Sequence, residues 1–171
     1  MKKIFAISGS IKQRSSNRRI LELLGDISAN QAAFEIYDGL TDLPYFVPGL
    51  DEISLPTEVK YFLTKIKTAD AVVISTPEYV FGLPGILKNA LEWTVPETVL
   101  SGKPVAFVVA AASGKKAFES LDLILETLVQ SNIPANRKLL IPGIAKYFDE
   151  FGCLTDNDIQ LQLSGLIESL Y

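Results

Sequence analysis

Short runs of apolar residues alternate along this chain with stretches in which apolar residues recur every three or four positions. The first pattern is typical of buried strands and the second of amphipathic helices. We predict strands over 3–8, 33–37, 69–75, 104–111 and 137–141. We predict helices over 17–27, 57–67, about 84–93, 115–130 and 157–170. A loop containing several proline and glycine residues is expected over 39–56.

The regular alternation of strand and helix indicates a parallel sheet, and strands this continuously apolar indicate burial on both faces. We therefore predict an α/β protein with a three-layer α/β/α flavodoxin-like fold and a five-stranded parallel sheet in the order 2-1-3-4-5. No repeat or linker divides the chain, so residues 1–171 are expected to form a single domain. Ligands bind such sheets beyond the carboxyl ends of the strands, which directs attention to the loops 9–17, 76–84 and 111–115.

The amino-acid composition limits the kinds of reaction that the side chains can catalyse. The chain has 171 residues, of which 48% are hydrophobic, and it contains one cysteine, Cys153, and no histidine. An intrachain disulfide and an ordinary Ser-His-Asp or Cys-His hydrolase are excluded, and no metal site is predicted. If the protein is an enzyme, a cofactor is expected to carry the chemistry. Without a bilayer-spanning apolar run or a signal-peptide pattern, we expect a cytoplasmic protein with no membrane and no nucleic-acid partner.

Charge is unevenly distributed around a net value of −4. Residues 1–21 contain no acidic residue but six basic ones: Lys2, Lys3, Lys12, Arg14, Arg18 and Arg19. Such a segment can hold an anion, or it can simply form a solvated basic face. Charge alone leaves both interpretations open.

The loop after the first strand reads Gly-Ser-Ile-Lys-Gln-Arg-Ser-Ser-Asn over residues 9–17. Hydroxyl groups and free backbone N–H groups at a helix N-terminus bind phosphate well, and two cations can neutralise a dianion. The alternative is that Ser15, Ser16 or Asn17 only caps the helix. The combination of several such residues with Lys12 and Arg14 favours a phosphate site. The loop has neither a dinucleotide fingerprint nor a Walker A motif.

Residues 7–17 resemble the opening pattern Gly-Ser-x-Arg-x-x-Ser-x-Asn of the NADPH-dependent FMN reductase family, which holds the FMN phosphate there. The resemblance implies four phosphate ligands: Ser10, Ser15, Ser16 and Asn17. Lys12 stands where the family has arginine and offers a point charge instead of a bidentate fork. Either Lys12 or Arg14 therefore takes the cationic role.

A second and more specific resemblance covers residues 76–93, which are similar to the family segment Pro-Glu-Tyr-Asn-x-Ser-x-Pro-Gly-x-Leu-Lys-Asn-Ala-x-Asp-Trp. It implies that Pro77, Glu78 and Tyr79, with Val80 beside them, approach the flavin ring, largely through backbone atoms. Val80 and Gly82 replace the family's asparagine and serine. Tyr79 and Phe81 can alternatively be core or interface residues.

A third, weaker resemblance lies after the fourth strand, where Ser113 and Gly114 would adjoin the ring. A fourth covers residues 42–46, similar to a family loop that reaches the acceptor side or a neighbouring subunit. Alternatively, that loop folds back onto its own domain. In either case we expect some burial of Tyr45 and Phe46, because large apolar side chains are costly to leave in water.

The resemblance implies an FMN-dependent oxidoreductase that passes hydride from NAD(P)H, its co-substrate, through bound FMN to a small-molecule electron acceptor such as a quinone, flavin or azo compound. No side chain is predicted to be catalytic, because flavin N5 carries the chemistry. A homodimer or homotetramer is implied. The alternative function is an FMN-binding electron carrier or sensor without NAD(P)H turnover. The choice between NADPH and NADH and the physiological acceptor stay open.

Overall fold

The computed structural model describes residues 1–51 and 53–171; Glu52, within the predicted loop over 39–56, lies outside the described residues. The described strands are β1 (Lys2–Ser8), β2 (Ala32–Tyr37), β3 (Ala71–Thr76), β4 (Val105–Ala111) and β5 (Lys138–Pro142). The described α-helices are α1 (Ser16–Ser28), α2 (Thr57–Thr68), α3 (Gly85–Trp93), α4 (Lys115–Val129) and α5 (Asn157–Glu168). All strand pairs are parallel, in the order β2-β1-β3-β4-β5, so the predicted flavodoxin-like fold is confirmed.

The element boundaries differ from the predicted ones where backbone hydrogen bonds decide them. β3 begins two residues later than predicted, because the N–H of Ala69 still closes α2 on the carbonyl of Lys65, 3.1 Å away. The N–H of Asp70 donates to the carbonyl of Lys3 at 2.8 Å and leads the chain into the sheet. The predicted loop over 39–56 contains a short 3-10 turn, Gly39–Asp42, directly after β2.

Two separate cores cover the two faces of the sheet, because successive strand side chains point to opposite faces. Alternate residues such as Phe5, Ile74 and Phe107 pack against α2, α3 and α4. The residues between them, such as Ala6 and Val73, pack against α1 and α5. Each fully buried large apolar side chain contributes about 1.5–3 kcal/mol. The buried central strands therefore form a rigid platform whose carboxyl ends carry the loops.

The loop after β1 crosses directly over the end of β3. The N–H of Gly9 donates to the carbonyl of Ser75 at 2.8 Å. A Cβ atom on Gly9 would lie 2.2 Å from the Oγ1 of Thr76. This position therefore requires glycine, and the close approach brings the loops that follow β1 and β3 together at one edge of the sheet.

Within the described part of the chain, no helix has both the length and the apolar character needed to cross a membrane.

Replacing Gly9 by Ala is expected to lower the free energy of unfolding by about 1–3 kcal/mol, because the methyl group must displace Thr76. Gly165→Ala is the matched control, since that exposed glycine lies inside α5 and an added Cβ would meet nothing within 4 Å. Helix propensity predicts that the control gains about 0.5–1 kcal/mol. Urea unfolding followed by far-UV circular dichroism measures both values. Equal stability of Gly9→Ala and the native protein would contradict the close approach.

Candidate functional site

The N-terminus of α1 is only partly capped. The Oγ of Ser15 accepts a hydrogen bond from the N–H of Arg18 at 3.1 Å. Ser16 and Asn17 begin the helix, so their N–H groups have no acceptor within it. Within residues 1–51 and 53–171, no hydrogen bond or ion pair occupies the side chains of Lys12 and Arg14, and both residues are exposed. Free N–H donors, two cations and the positive end of a helix dipole together suit a phosphate group.

The side chain of Asn17 points into the core, where both of its polar groups are used. Its Nδ2 donates to the carbonyl of Ala110 in β4 at 3.0 Å. Its Oδ1 accepts from the Oγ of Ser75 in β3 at 2.9 Å. Asn17 thus fastens the start of α1 to two strands beneath the loop. A ligand contact from this residue is left to its backbone N–H.

The N-terminus of α4 is closed by the carboxylate of Glu78. Its Oε1 accepts from the N–H of Gly114 at 3.2 Å, and its Oε2 accepts from the N–H groups of Lys116 and Ala117 at 2.9 and 3.0 Å. A carboxylate is favourable at this end of the helix dipole. Glu78 therefore joins the loop after β3 to the loop after β4 and fills the anion position of α4. Among the described residues, no such carboxylate caps the N-termini of α1 and α3.

The loop after β3 continues as a tight two-residue turn. The backbone groups of Tyr79 and Gly82 exchange two hydrogen bonds of 3.0 Å. Val80 and Phe81 occupy the turn with φ values of 49° and 58°. Left-handed backbone costs of order 1–3 kcal/mol per strained residue, and a β-branched valine is among the least suited to it. Tyr79, Val80 and Phe81 are 53%, 97% and 80% exposed, so the turn presents an apolar surface at the site.

The predicted residues after β4 lie beside the Glu78 carboxylate. Gly114 has φ +85°, and a Cβ atom on it would lie 2.8 Å from the Cδ1 of Leu140. This backbone conformation brings the N–H of Gly114 to Glu78. Ser113, the residue before it, is exposed.

Two residues of α3 hold the loop at 44–46, a role that the sequence patterns did not assign. The Nδ2 of Asn89 donates to the carbonyl of Pro44 at 3.0 Å, and its Oδ1 accepts from the N–H of Phe46 at 2.8 Å. The Nε1 of Trp93 donates to the same carbonyl of Pro44 at 2.9 Å. Phe46 packs edge-on against Trp93, with ring centroids 5.1 Å apart, as its expected burial requires. The burial expected of Tyr45 is wrong for the single chain, because this anchoring leaves Tyr45 89% exposed.

A parallel sheet in the order 2-1-3-4-5, with an open helix N-terminus after β1 and an apolar turn after β3, is the architecture of flavodoxin-like flavoproteins. The structure resembles that of FerB, a flavoenzyme NAD(P)H:(acceptor) oxidoreductase of Paracoccus denitrificans, with a TM-score of 0.78 and 22% identity. The match covers 99% of this chain and 95% of FerB, and it shows a shared fold.

The sequence comparisons define the family. The model of the NADPH-dependent FMN reductase family matches residues 2–141, and the chain belongs to that family. An NAD(P)H-dependent FMN reductase of Pseudomonas aeruginosa is 31% identical, over 96% of this chain and 92% of its own length. The NADH:(hydroxy)cinnamate reductase subunit CrdA of Vibrio ruber is 36% identical, over 88% of this chain and 76% of its own. A quinone reductase of Pseudomonas putida is 28% identical, over 90% of this chain and 84% of its own length.

These findings confirm the predicted resemblance, and with it an oxidoreductase that uses FMN as cofactor and NAD(P)H as co-substrate. The individual ligand residues and the assembly state stay predictions.

Glu78→Gln is expected to lower the free energy of unfolding by about 1–3 kcal/mol, because a neutral amide replaces a charge that accepts three N–H bonds. Glu119→Gln is the control on the same helix, since its exposed ion pair with Lys116 contributes little. Hydrogen exchange provides a local readout at the amides of Gly114, Lys116 and Ala117. Unchanged protection of these amides in Glu78→Gln would show that the carboxylate does not hold α4.

Proposed function

We propose that this protein binds FMN across the loops that follow β1, β3 and β4, and that it uses NAD(P)H to reduce a small-molecule acceptor. One observation carries the proposal: the protein's own Glu78 carboxylate closes the N-terminus of α4, whereas the N-terminus of α1 keeps unpaired donors. Within the described part of the chain, the N-terminus of α3 also has no side-chain cap, but the first loop adds the unpaired cations Lys12 and Arg14 to its open donors, which favours the phosphate there. That position lies at the switch point between β1 and β3, where such sheets bind ligands.

The phosphate ligands in this proposal are the polar groups of the first loop. Ser10, Ser15 and Ser16 contribute hydroxyl groups, and Ser16 and Asn17 contribute backbone N–H groups. Lys12 and Arg14 contribute positive charge, and both are exposed and without a carboxylate partner in the described residues.

The ring of FMN is assigned to the loops joined by Glu78. Pro77, Glu78, Tyr79 and Val80 approach it from the loop after β3, largely through backbone atoms, and the two residues after β4 complete the site: Ser113 and Gly114. The tight turn at Val80–Phe81 supplies an apolar surface that suits a flat ring. FMN, when bound, supplies two-electron redox chemistry that no side chain of this chain supplies. The chain's own contribution is to bind the phosphate, orient the ring and leave one face open to the second substrate.

The acceptor is proposed to be a quinone or a compound of similar redox chemistry. The names of several relatives support this class, including the Pseudomonas putida quinone reductase and a 2-hydroxy-1,4-benzoquinone reductase of a Burkholderia species that is 28% identical. An electron carrier or sensor without NAD(P)H turnover is the second candidate, favoured only by the fold that flavodoxin-like proteins share.

A homodimer or homotetramer in the cytoplasm is the proposed form of the protein. Exposed apolar side chains near the site support an assembly, among them Tyr45 and Phe81 at 89% and 80% exposure. Such side chains gain free energy when a second subunit removes them from water. The exposed free thiol of Cys153 suits a reducing compartment.

Replacing Arg14 or Lys12 by Ala is expected to weaken FMN binding by about 10- to 100-fold for whichever cation contacts the phosphate. Charge-assisted hydrogen bonds contribute roughly 1.5–3 kcal/mol, and about 1.4 kcal/mol corresponds to a factor of ten. Quenching of FMN fluorescence on titration with apoprotein measures the dissociation constant.

The control for this experiment is Lys67→Ala, which removes the same charge from the last turn of α2, away from the loop after β1. Affinity that is unchanged in the double variant Lys12→Ala/Arg14→Ala would move the phosphate away from the first loop.

The purified protein is expected to be yellow, with an absorption band at about 450 nm that disappears on anaerobic mixing with NADPH or NADH because the flavin is reduced. Stopped-flow absorbance measures the rate with each nucleotide. If dithionite bleaches the band but neither nucleotide does, the carrier function is correct and the reductase proposal is wrong.

A further inference from the structure

A cavity of about 570 Å³ lies on the β2 side of the first loop. It shares Ser10 and Lys12 with the proposed phosphate site but no residue with the proposed ring site. Three segments line it: the end of β1 with its loop, the first two turns of α1, and the end of β2 with the turn that follows. The polar residues that matter below are Ser10, Lys12, Arg18, Glu22, Tyr37 and Asp38. No residue of the turn over 77–82 or of the loop over 112–114 contributes to it.

The guanidinium group of Arg18 is already neutralised within this cavity. Its Nη1 donates to the Oδ1 of Asp38, and its Nε donates to the Oε1 of Glu22 at 3.0 Å. Asp38 is nevertheless well exposed, with 72% of its side chain accessible, and no described residue donates to its Oδ2. The cavity therefore presents a carboxylate oxygen that can accept hydrogen bonds and whose position a paired arginine fixes.

Two other groups contribute to the polar lining. Burial raises the pKa of the Tyr37 hydroxyl to about 12, so this group stays neutral, and it donates to the carbonyl of Gly39 at 3.1 Å. Lys12 is exposed, and no carboxylate in the described part of the chain pairs with it. The cavity thus offers hydroxyl-accepting groups that suit a sugar, and its unpaired cation, Lys12, is a residue already assigned to the FMN phosphate.

The cavity lies at the end of β2, two strand spacings from the turn after β3. β2 lies two strands from β3 in the observed order, and neighbouring strands are about 4.8 Å apart, so their ends are separated by roughly 10 Å. A nicotinamide placed at the turn after β3 can therefore have its adenosine half at the end of β2. In dinucleotide-binding sheets, an acidic residue beyond the first helix accepts hydrogen bonds from the ribose 2′-hydroxyl.

We propose that Asp38 binds the adenosine-side ribose of the reduced pyridine nucleotide, and that this carboxylate makes the protein select NADH over NADPH. The inference rests on the proposed use of NAD(P)H and adds the recognition of its far end. A 2′-phosphate in the same place would lie against the carboxylates of Asp38 and Glu22. Of the two cations that line the cavity, Arg18 is already paired with both carboxylates, and Lys12 is assigned to the phosphate of the bound FMN. Like-charge repulsion of this kind rejects the wrong partner.

The test uses FMN-loaded protein and two fragments that lack nicotinamide, ADP-ribose and 2′-phospho-ADP-ribose, with binding measured by calorimetry. The native protein is expected to bind ADP-ribose at least about tenfold more tightly. Asp38→Asn is expected to reduce that preference about tenfold, because the amide removes the repulsion and weakens the contact with the diol. Asp38→Glu, which keeps the charge, is expected to retain a preference for ADP-ribose.

Asp26→Asn is the matched control, since this exposed carboxylate lies on α1 but does not line the cavity. The proposal is overturned if the native protein binds neither fragment or does not discriminate between them, or if Asp38→Asn and Asp26→Asn behave alike. Flavin bleaching, measured separately, keeps the two proposals apart. Bleaching by NADH combined with no effect of Asp38→Asn on fragment preference rejects the ribose site and leaves the reductase function intact. Absence of bleaching rejects the reductase function, whereas fragment binding still decides what the cavity recognises.

Discussion

The site depends on one constraint: the free backbone N–H groups at helix N-termini need hydrogen-bond acceptors. A parallel sheet collects these termini at its carboxyl edge, and each terminus must find acceptors from the protein or from a ligand. The chain supplies a carboxylate, Glu78, to α4, and only one hydroxyl, from Ser15, to α1. The carboxylate thus closes α4 to an anion and joins the loops after β3 and β4 without any ligand, whereas the N-terminus of α1 keeps donors beside the cations Lys12 and Arg14.

The anchoring also explains how an unfavourable turn persists. Val80 and Phe81 both adopt left-handed backbone, which neither residue type favours. The turn is closed by two hydrogen bonds between Tyr79 and Gly82, and the adjacent Glu78 is fixed by three more. Strain of this kind survives where the surrounding structure determines the conformation, and it concentrates at ligand sites. The result is an apolar, rigid surface where a flat ring is proposed to lie.

The first loop separates two regions of different electrostatic character. At the start of α1, unpaired N–H groups and the cations of residues 12 and 14 suit a dianion. Toward β2, Arg18 is paired with Asp38 and Glu22, so the wall there accepts hydrogen bonds and disfavours a further negative charge. FMN supplies the redox chemistry, and the chain's own residues act through charge placement and shape.

The sequence alone determined the fold and the family. Buried parallel strands must be continuously apolar and their covering helices amphipathic, so the alternation of these patterns identified every strand and helix of the sheet. The segments around Ser10 and Pro77 carried the family. Only the tertiary structure decided which atoms are available there. The Asn17 amide points into the core, and the Glu78 carboxylate accepts hydrogen bonds from α4. Arg18 pairs with Asp38, 20 positions further along the chain. The periodicity of apolar residues predicts which face of a helix or strand is buried. A hydrogen-bond partner depends on how separate elements pack against each other, and the local sequence does not determine that packing.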